Sequence, residues 1–80
     1  MKTALPIRRW NVDDFDKMME CGLLAPRGYE LLDGIVYNTR GFVKRWSVYD
    51  FDRLAEAGVI TPDERAELVA GSVFQPRSWR

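Results

Sequence analysis

The groups this chain offers for chemistry are twelve aspartates and glutamates, one cysteine, three serines and no histidine. Without histidine, acid–base work near neutral pH would fall to carboxylates. Ser47, Ser72 and Ser78 have no base beside them in a nucleophile pattern. Cys21 falls at a predicted helix C-terminus, the end that disfavours a thiolate, and reads as a small apolar filler. One thiol and no imidazole exclude an internal disulfide and an ordinary structural zinc site. Glu30 and Glu67 each open a Glu-Leu-x-x-Gly stretch.

A different chemistry is written in the basic residues. Arg8 and Arg9 precede Trp10, Arg40, Lys44 and Arg45 precede Trp46, and Arg77 and Arg80 bracket Trp79. Basic groups beside aromatic rings are what single-stranded nucleic acid binds. Against that stand Asp13, Asp14, Asp16, Glu20, Asp50, Asp52 and Glu56, which repel phosphate.

The elements that position these residues are written twice. Sliding the chain by 36 places aligns Arg9, Trp10, Val12, Asp14, Phe15 and Asp16 with Arg45, Trp46, Val48, Asp50, Phe51 and Asp52. One extra residue then shifts the offset to 37, matching Glu30, Leu31, Gly34 and Val36 with Glu67, Leu68, Gly71 and Val73. Asn11 and Ser47 are good helix caps, and Asp14 and Asp50 stand at the third helical position of a capping box. Trp10 with Phe15, and Trp46 with Phe51, have the spacing of a hydrophobic staple. Each copy therefore opens with a predicted helix ended by Gly22 or Gly58. The apolar stripes are Val12, Phe15, Met18 and Met19, and Val48, Phe51, Leu54 and Ala55.

A hairpin follows each helix. Asp33-Gly34 between apolar runs is a strong turn signal, and Ala70-Gly71 a weaker one. Thr61-Pro62-Asp63-Glu64 predicts one extra helical turn, whereas copy one has Ala25-Pro26-Arg27-Gly28 and only a bend. A two-residue turn sets Leu31 opposite Val36 on the core face, and Leu32 opposite Ile35 on the other. The second face then carries Leu32, Ile35 and Tyr37, unusually apolar for solvent. The expected fold is α+β: two helix–β-hairpin repeats packed as one pseudo-symmetric small domain. Residues 1–7 are an N-terminal tail, 8–40 the first repeat, 41–43 a linker, 44–76 the second repeat and 77–80 a C-terminal tail.

These words resemble a known family. "RRWNVDDFDKMMECGLL" followed by "YELLDGIVY" resembles the N-terminal segment of the Uma-two family, bacterial proteins with a restriction-endonuclease-like fold. "RWSVYDFDRLAEAGVITPDERAELVAGSV" is similar to the same segment, including its "TPDER" turn. The resemblance implies a metal-dependent nuclease chemistry in the family, built from an aspartate after a proline and a later glutamate strand. Pro62-Asp63 imitates the first element but lies in the pre-hairpin turn, and no Glu-x-Lys follows. Of the family's metal-site residues, only the hairpin glutamate carries over, as Glu30 and Glu67. The chain looks like a duplicated family preface without the nuclease core.

With 46% hydrophobic and 12% aromatic residues the chain is too apolar for disorder. Zero net charge gives no global field for nucleic acid or membrane. No apolar run approaches the ~18 residues of a membrane span, and the N-terminus lacks a secretory pattern. The expectation is a cytoplasmic, non-catalytic protein-interaction module without cofactor or metal: an accessory subunit of a larger complex, or a homo-oligomer. Its expected contact residues are Leu32, Ile35, Tyr37, Phe74 and Trp79. Trp79 either anchors on a partner or folds back on its own core. The alternative is a nucleic-acid-binding or nuclease-regulating fragment using Arg8, Arg9, Arg40, Lys44, Arg45, Arg77 and Arg80.

Overall fold

Two capping boxes start the helices of the computed structural model, which describes residues 7–75. Asn11 Oδ1 accepts from Asp14 N–H at 2.8 Å, and Asp14 Oδ2 accepts from Asn11 N–H at 3.1 Å. Ser47 and Asp50 repeat the exchange at 3.0 Å each way. Helix α1 runs over Val12–Glu20 and α2 over Val48–Glu56, nine residues each. Bonds from Leu23 N–H to Met18 O and from Val59 N–H to Leu54 O turn the chain out of each helix.

Strands β1 (Tyr29–Leu32) and β2 (Ile35–Asn38) pair antiparallel, with Leu31 opposite Val36 and Leu32 opposite Ile35. Strands β3 (Glu67–Val69) and β4 (Ser72–Phe74) pair with Leu68 opposite Val73. Both turns take the left-handed pair of backbone conformations that suits strand twist. Asp33 and Gly34 have φ of 51° and 81°, and Ala70 and Gly71 have 51° and 84°. Ala70 thus adopts a conformation that alanine resists, held there by the register of the hairpin. The second copy's extra turn forms as a 3-10 segment, Pro62–Glu64, with Glu64 Oε2 accepting from Thr61 N–H at 3.0 Å. Copy one has only bends there.

The result is an α+β domain of two helices and two separate two-stranded sheets. Its core draws on both halves: Trp10, Met18, Leu24 and Val36 with Trp46, Leu54, Val59, Ile60 and Val73. At its centre the two tryptophans meet edge-to-face, ring centroids 5.7 Å apart, a preferred aromatic geometry. Val12 and Val48 depart from the expected stripes, being 65% and 69% exposed. Buried Trp10 and Trp46, one residue before each cap, already fill that end of the core.

The segments before the helices link the halves. Arg8 N–H donates to Val73 O, and Lys44 N–H donates to Val36 O, both at 2.8 Å. Trp10 N–H and Trp46 N–H then donate to Gly34 O and Gly71 O, also at 2.8 Å. Residues 41–43, expected as a linker, lead back onto β2: Asn38 N–H donates to Phe42 O, and Val43 bridges Tyr37. Ile7 bridges Phe74 in the same way. The outer edges of β2 and β4 are therefore partly covered by the chain itself.

Candidate functional site

Strand alternation sends Leu31, Val36, Leu68 and Val73 to the core, and what remains on the other side is the candidate site. In the first hairpin that side carries Glu30, Leu32, Ile35 and Tyr37, extended by Val43 across from Tyr37. In the second it carries Glu67, Val69, Ser72 and Phe74, extended by Ile7 across from Phe74. Cross-strand partners share a face, so each set is one surface. Between the hairpins lies one small cavity of about 20 Å³, lined by Ile7, Ile35, Val43 and Ser72 together with the core residues Trp10, Val36, Trp46 and Val73. Leu32 is 54% exposed, Val69 49%, Val43 48% and Ile7 39%, while Ile35, Tyr37 and Phe74 are half-buried. Sequence reasoning named Leu32, Ile35, Tyr37 and Phe74 but missed Ile7, Val43 and Val69. The repeat held the signal for two of them, because Ile7 and Val43 are themselves separated by the repeat offset of 36. Trp79 lies outside the described residues.

The same alternation divides the basic residues. Along Ile7–Trp10 exposure runs exposed, half-buried, exposed, buried, and Val43–Trp46 repeats it. Arg8 and Lys44 therefore turn inward, contrary to the expectation that they face phosphate. Arg8 Nε bonds Glu64 Oε1 at 2.8 Å, its Nη1 lies 3.6 Å from Asp14 Oδ2, and its guanidinium sits 4.7 Å from the Trp10 ring centre. Lys44 Nζ lies 3.5 Å from Asp50 Oδ2 and 5.1 Å from the Trp46 ring centre. These cations are occupied by internal carboxylates and rings. Arg9, Arg40 and Arg45 are exposed. Arg9 donates to Asp33 O, with Asp33 Oδ2 at 3.4 Å, and Arg45 Nη1 donates to Ala70 O at 2.8 Å. Each thus lies over one hairpin turn. Arg77 and Arg80 lie outside the described residues.

Glu30 and Glu67 are exposed beside Tyr37 and Phe74. Among the described residues no three acidic or thiol side chains gather as a metal-ligand group. Cys21 is half-buried, its Sγ 3.6 Å from Met18 O. Arg53 of α2 donates to Cys21 O at the end of α1, and to the Tyr49 hydroxyl at 3.0 Å. The hydrogen bond to Tyr49 raises the guanidinium's already high pKa. An apolar groove of about 280 Å³ lies between α2 and the 3-10 turn, lined by Phe51, Ala55, Ile60, Pro62 and Ala66. No helix among the described residues is long and apolar enough to cross a membrane. Comparison with family models, with curated proteins and with solved structures gives no match.

Proposed function

We propose that this chain is a non-catalytic protein-interaction module, an accessory subunit of a larger complex or a homo-oligomer, whose contact surface is the outer face of its hairpins. The observation that carries the proposal is the apolar content of that face. Leu32, Ile35, Tyr37, Val43, Val69, Phe74 and Ile7 lie on it, four of them more than a third exposed. Large apolar side chains left exposed on one side of a sheet mark an interaction site when they lie together. The proposal includes the packing of two helix–hairpin repeats as one pseudo-symmetric domain, supported by the matched bonds of Arg8 and Lys44 and of Trp10 and Trp46. It also keeps a relation to the Uma-two N-terminal segment, supported by the likeness of RRWNVDDFDKMMECGLL, YELLDGIVY and RWSVYDFDRLAEAGVITPDERAELVAGSV to it.

Ile35→Asp tests the contact face. The variant is expected to stay folded by circular dichroism and to lose every association seen with the wild-type chain in pull-downs. Association unchanged with the domain folded would remove the face from consideration.

The exposure of Arg9, Arg40 and Arg45 supports a second reading, nucleic-acid binding. Salt separates the two: phosphate-led binding falls steeply between about 50 and 200 mM salt, and an apolar contact does not.

A further inference from the structure

We infer that the apolar groove between α2 and the 3-10 turn is the seat of this chain's own Trp79, folded back onto the helix side of the second hairpin. The groove marks a break in the repeat. Phe15, Leu24 and Pro26 of copy one correspond to Phe51, Ile60 and Pro62 of copy two, but Met19 and Tyr29 correspond to Ala55 and Ala66. In copy one both of those large side chains pack against the core. In copy two a methyl group stands in place of each, and both alanines line the groove. Its volume of about 280 Å³ is therefore apolar space that copy one fills from α1 and β1 and copy two leaves for another side chain.

The course of the chain says which side chain that is. In copy one, Asn38 stands opposite Tyr29, and its Oδ1 accepts from Arg40 N–H and Phe42 N–H. Thr39 N–H donates to Gly28 O at 3.0 Å. These bonds turn the chain back along β2. At the matching places copy two has Gln75 and Pro76. Proline has no N–H to donate, and Gln75 Nε2 bonds Glu64 Oε1 in the 3-10 turn at 3.2 Å. Copy two thus lacks the means to repeat that return, and its last described residue is tied to the turn that walls the groove. One step beyond the Glu67–Phe74 pair, Gln75 comes beside Ala66, about 5 Å across the ladder. Trp79 follows four residues later, a reach of about 13 Å at the strand rise. Charge favours the approach. Exposed Asp52, Glu56, Asp63 and Glu67 adjoin lining residues in sequence, against Arg65 alone, while residues 76–80 bring Arg77 and Arg80 and no acid. Ala66 lies on the same side of its strand as Leu68, away from the outer contact face, so this seat is independent of the interface proposed above.

The test reads Trp79 by fluorescence on the full chain, as the difference between the wild type and Trp79→Ala. Seated in the groove, Trp79 is expected to emit to the blue of a free tryptophan amide. Acrylamide should quench it severalfold more slowly than the free amide, at every protein concentration. Ala55→Met with Ala66→Tyr supplies the side chains of copy one. That variant should keep the fold by circular dichroism and return the Trp79 emission and quenching to those of the free amide. It should also abolish the fall in melting temperature that Trp79→Ala causes in the wild-type background. If Ala66→Tyr does not fold, Ala55→Glu alone replaces the pair, because Ala55 is an exposed helix position and the carboxylate would enter an apolar seat. A Trp79 that emits and quenches as the free amide in the wild type overturns the inference. Protection that appears only at concentrations where the chain dimerises also overturns it, since the groove would then hold the Trp79 of a second copy. Protection that survives both groove variants overturns it as well, because Trp79 would then be seated elsewhere.

Discussion

Ser47 holds the start of α2 with a single hydroxyl. Its Oγ accepts from Asp50 N–H, and Asp50 returns the bond to Ser47 N–H, both at 3.0 Å. Ser47→Ala removes the first and leaves an amide of the first turn without its partner. The expected loss is about 1 kcal/mol, measured by chemical denaturation; an unchanged midpoint and slope would mean that water replaces the hydroxyl without loss. Residues of this kind are legible in a sequence because donor and acceptor lie within four positions. Arg8 is the opposite case. It stands beside Arg9 in what reads as a basic cluster, yet one of the pair is inside and the other outside. Only the alternation of an extended segment separates them, and the carboxylate that fixes Arg8 belongs to Glu64, 56 residues away. Nothing local to Arg8 announces that partner.

Elements that look equivalent in the repeat do different work. The 3-10 turn Pro62–Glu64 has no counterpart in copy one, and it is where the start of the described chain is fastened. Glu64 accepts from Arg8 Nε at 2.8 Å, from Gln75 Nε2 at 3.2 Å and from Thr61 N–H at 3.0 Å. The side chains of Arg8 and Glu64 are only 14% and 12% exposed, so water replaces these bonds poorly. Glu64→Ala is expected to lower stability by about 1.5–3 kcal/mol, the range for hydrogen bonds to charged groups. A double-mutant cycle with Arg8→Ala separates the pair from the rest of the turn: coupling near zero would show that Glu64 acts through Thr61 and Gln75 alone. The turn itself was readable from Thr61, Pro62 and Glu64. Its role was not, because the bond to Arg8 closes over nearly the whole described chain. The hairpin register was readable for the same reason as the caps, since two-residue turns fix pairing locally. The outer face was only half readable, because Ile7 and Val43 reach it from segments with no strand pattern of their own.

At the scale of the molecule, the α+β class follows from the duplicated helix start and hairpin, but the way the halves are joined does not. A repeat offset says which residues correspond. It does not say whether Lys44 pairs with its own hairpin or with the preceding one. In the structure Arg8 N–H donates into the second hairpin and Lys44 N–H into the first, and Trp10 and Trp46 share one core. Each half thus lacks an edge and an aromatic neighbour that only the other supplies. Chains of about 40 residues seldom fold without disulfides, metals or association, and one cysteine leaves no intramolecular disulfide. Cutting within the turn between β2 and the returning segment, into residues 1–40 and 41–80, is therefore expected to leave two unfolded pieces. Each should lack the near-ultraviolet circular dichroism of ordered tryptophan, and an equimolar mixture should recover it with a cooperative melt. A half that melts cooperatively alone, at concentrations where it is monomeric, would show that one helix and one hairpin suffice. The bonds between the halves would then join two finished units rather than complete two unfinished ones.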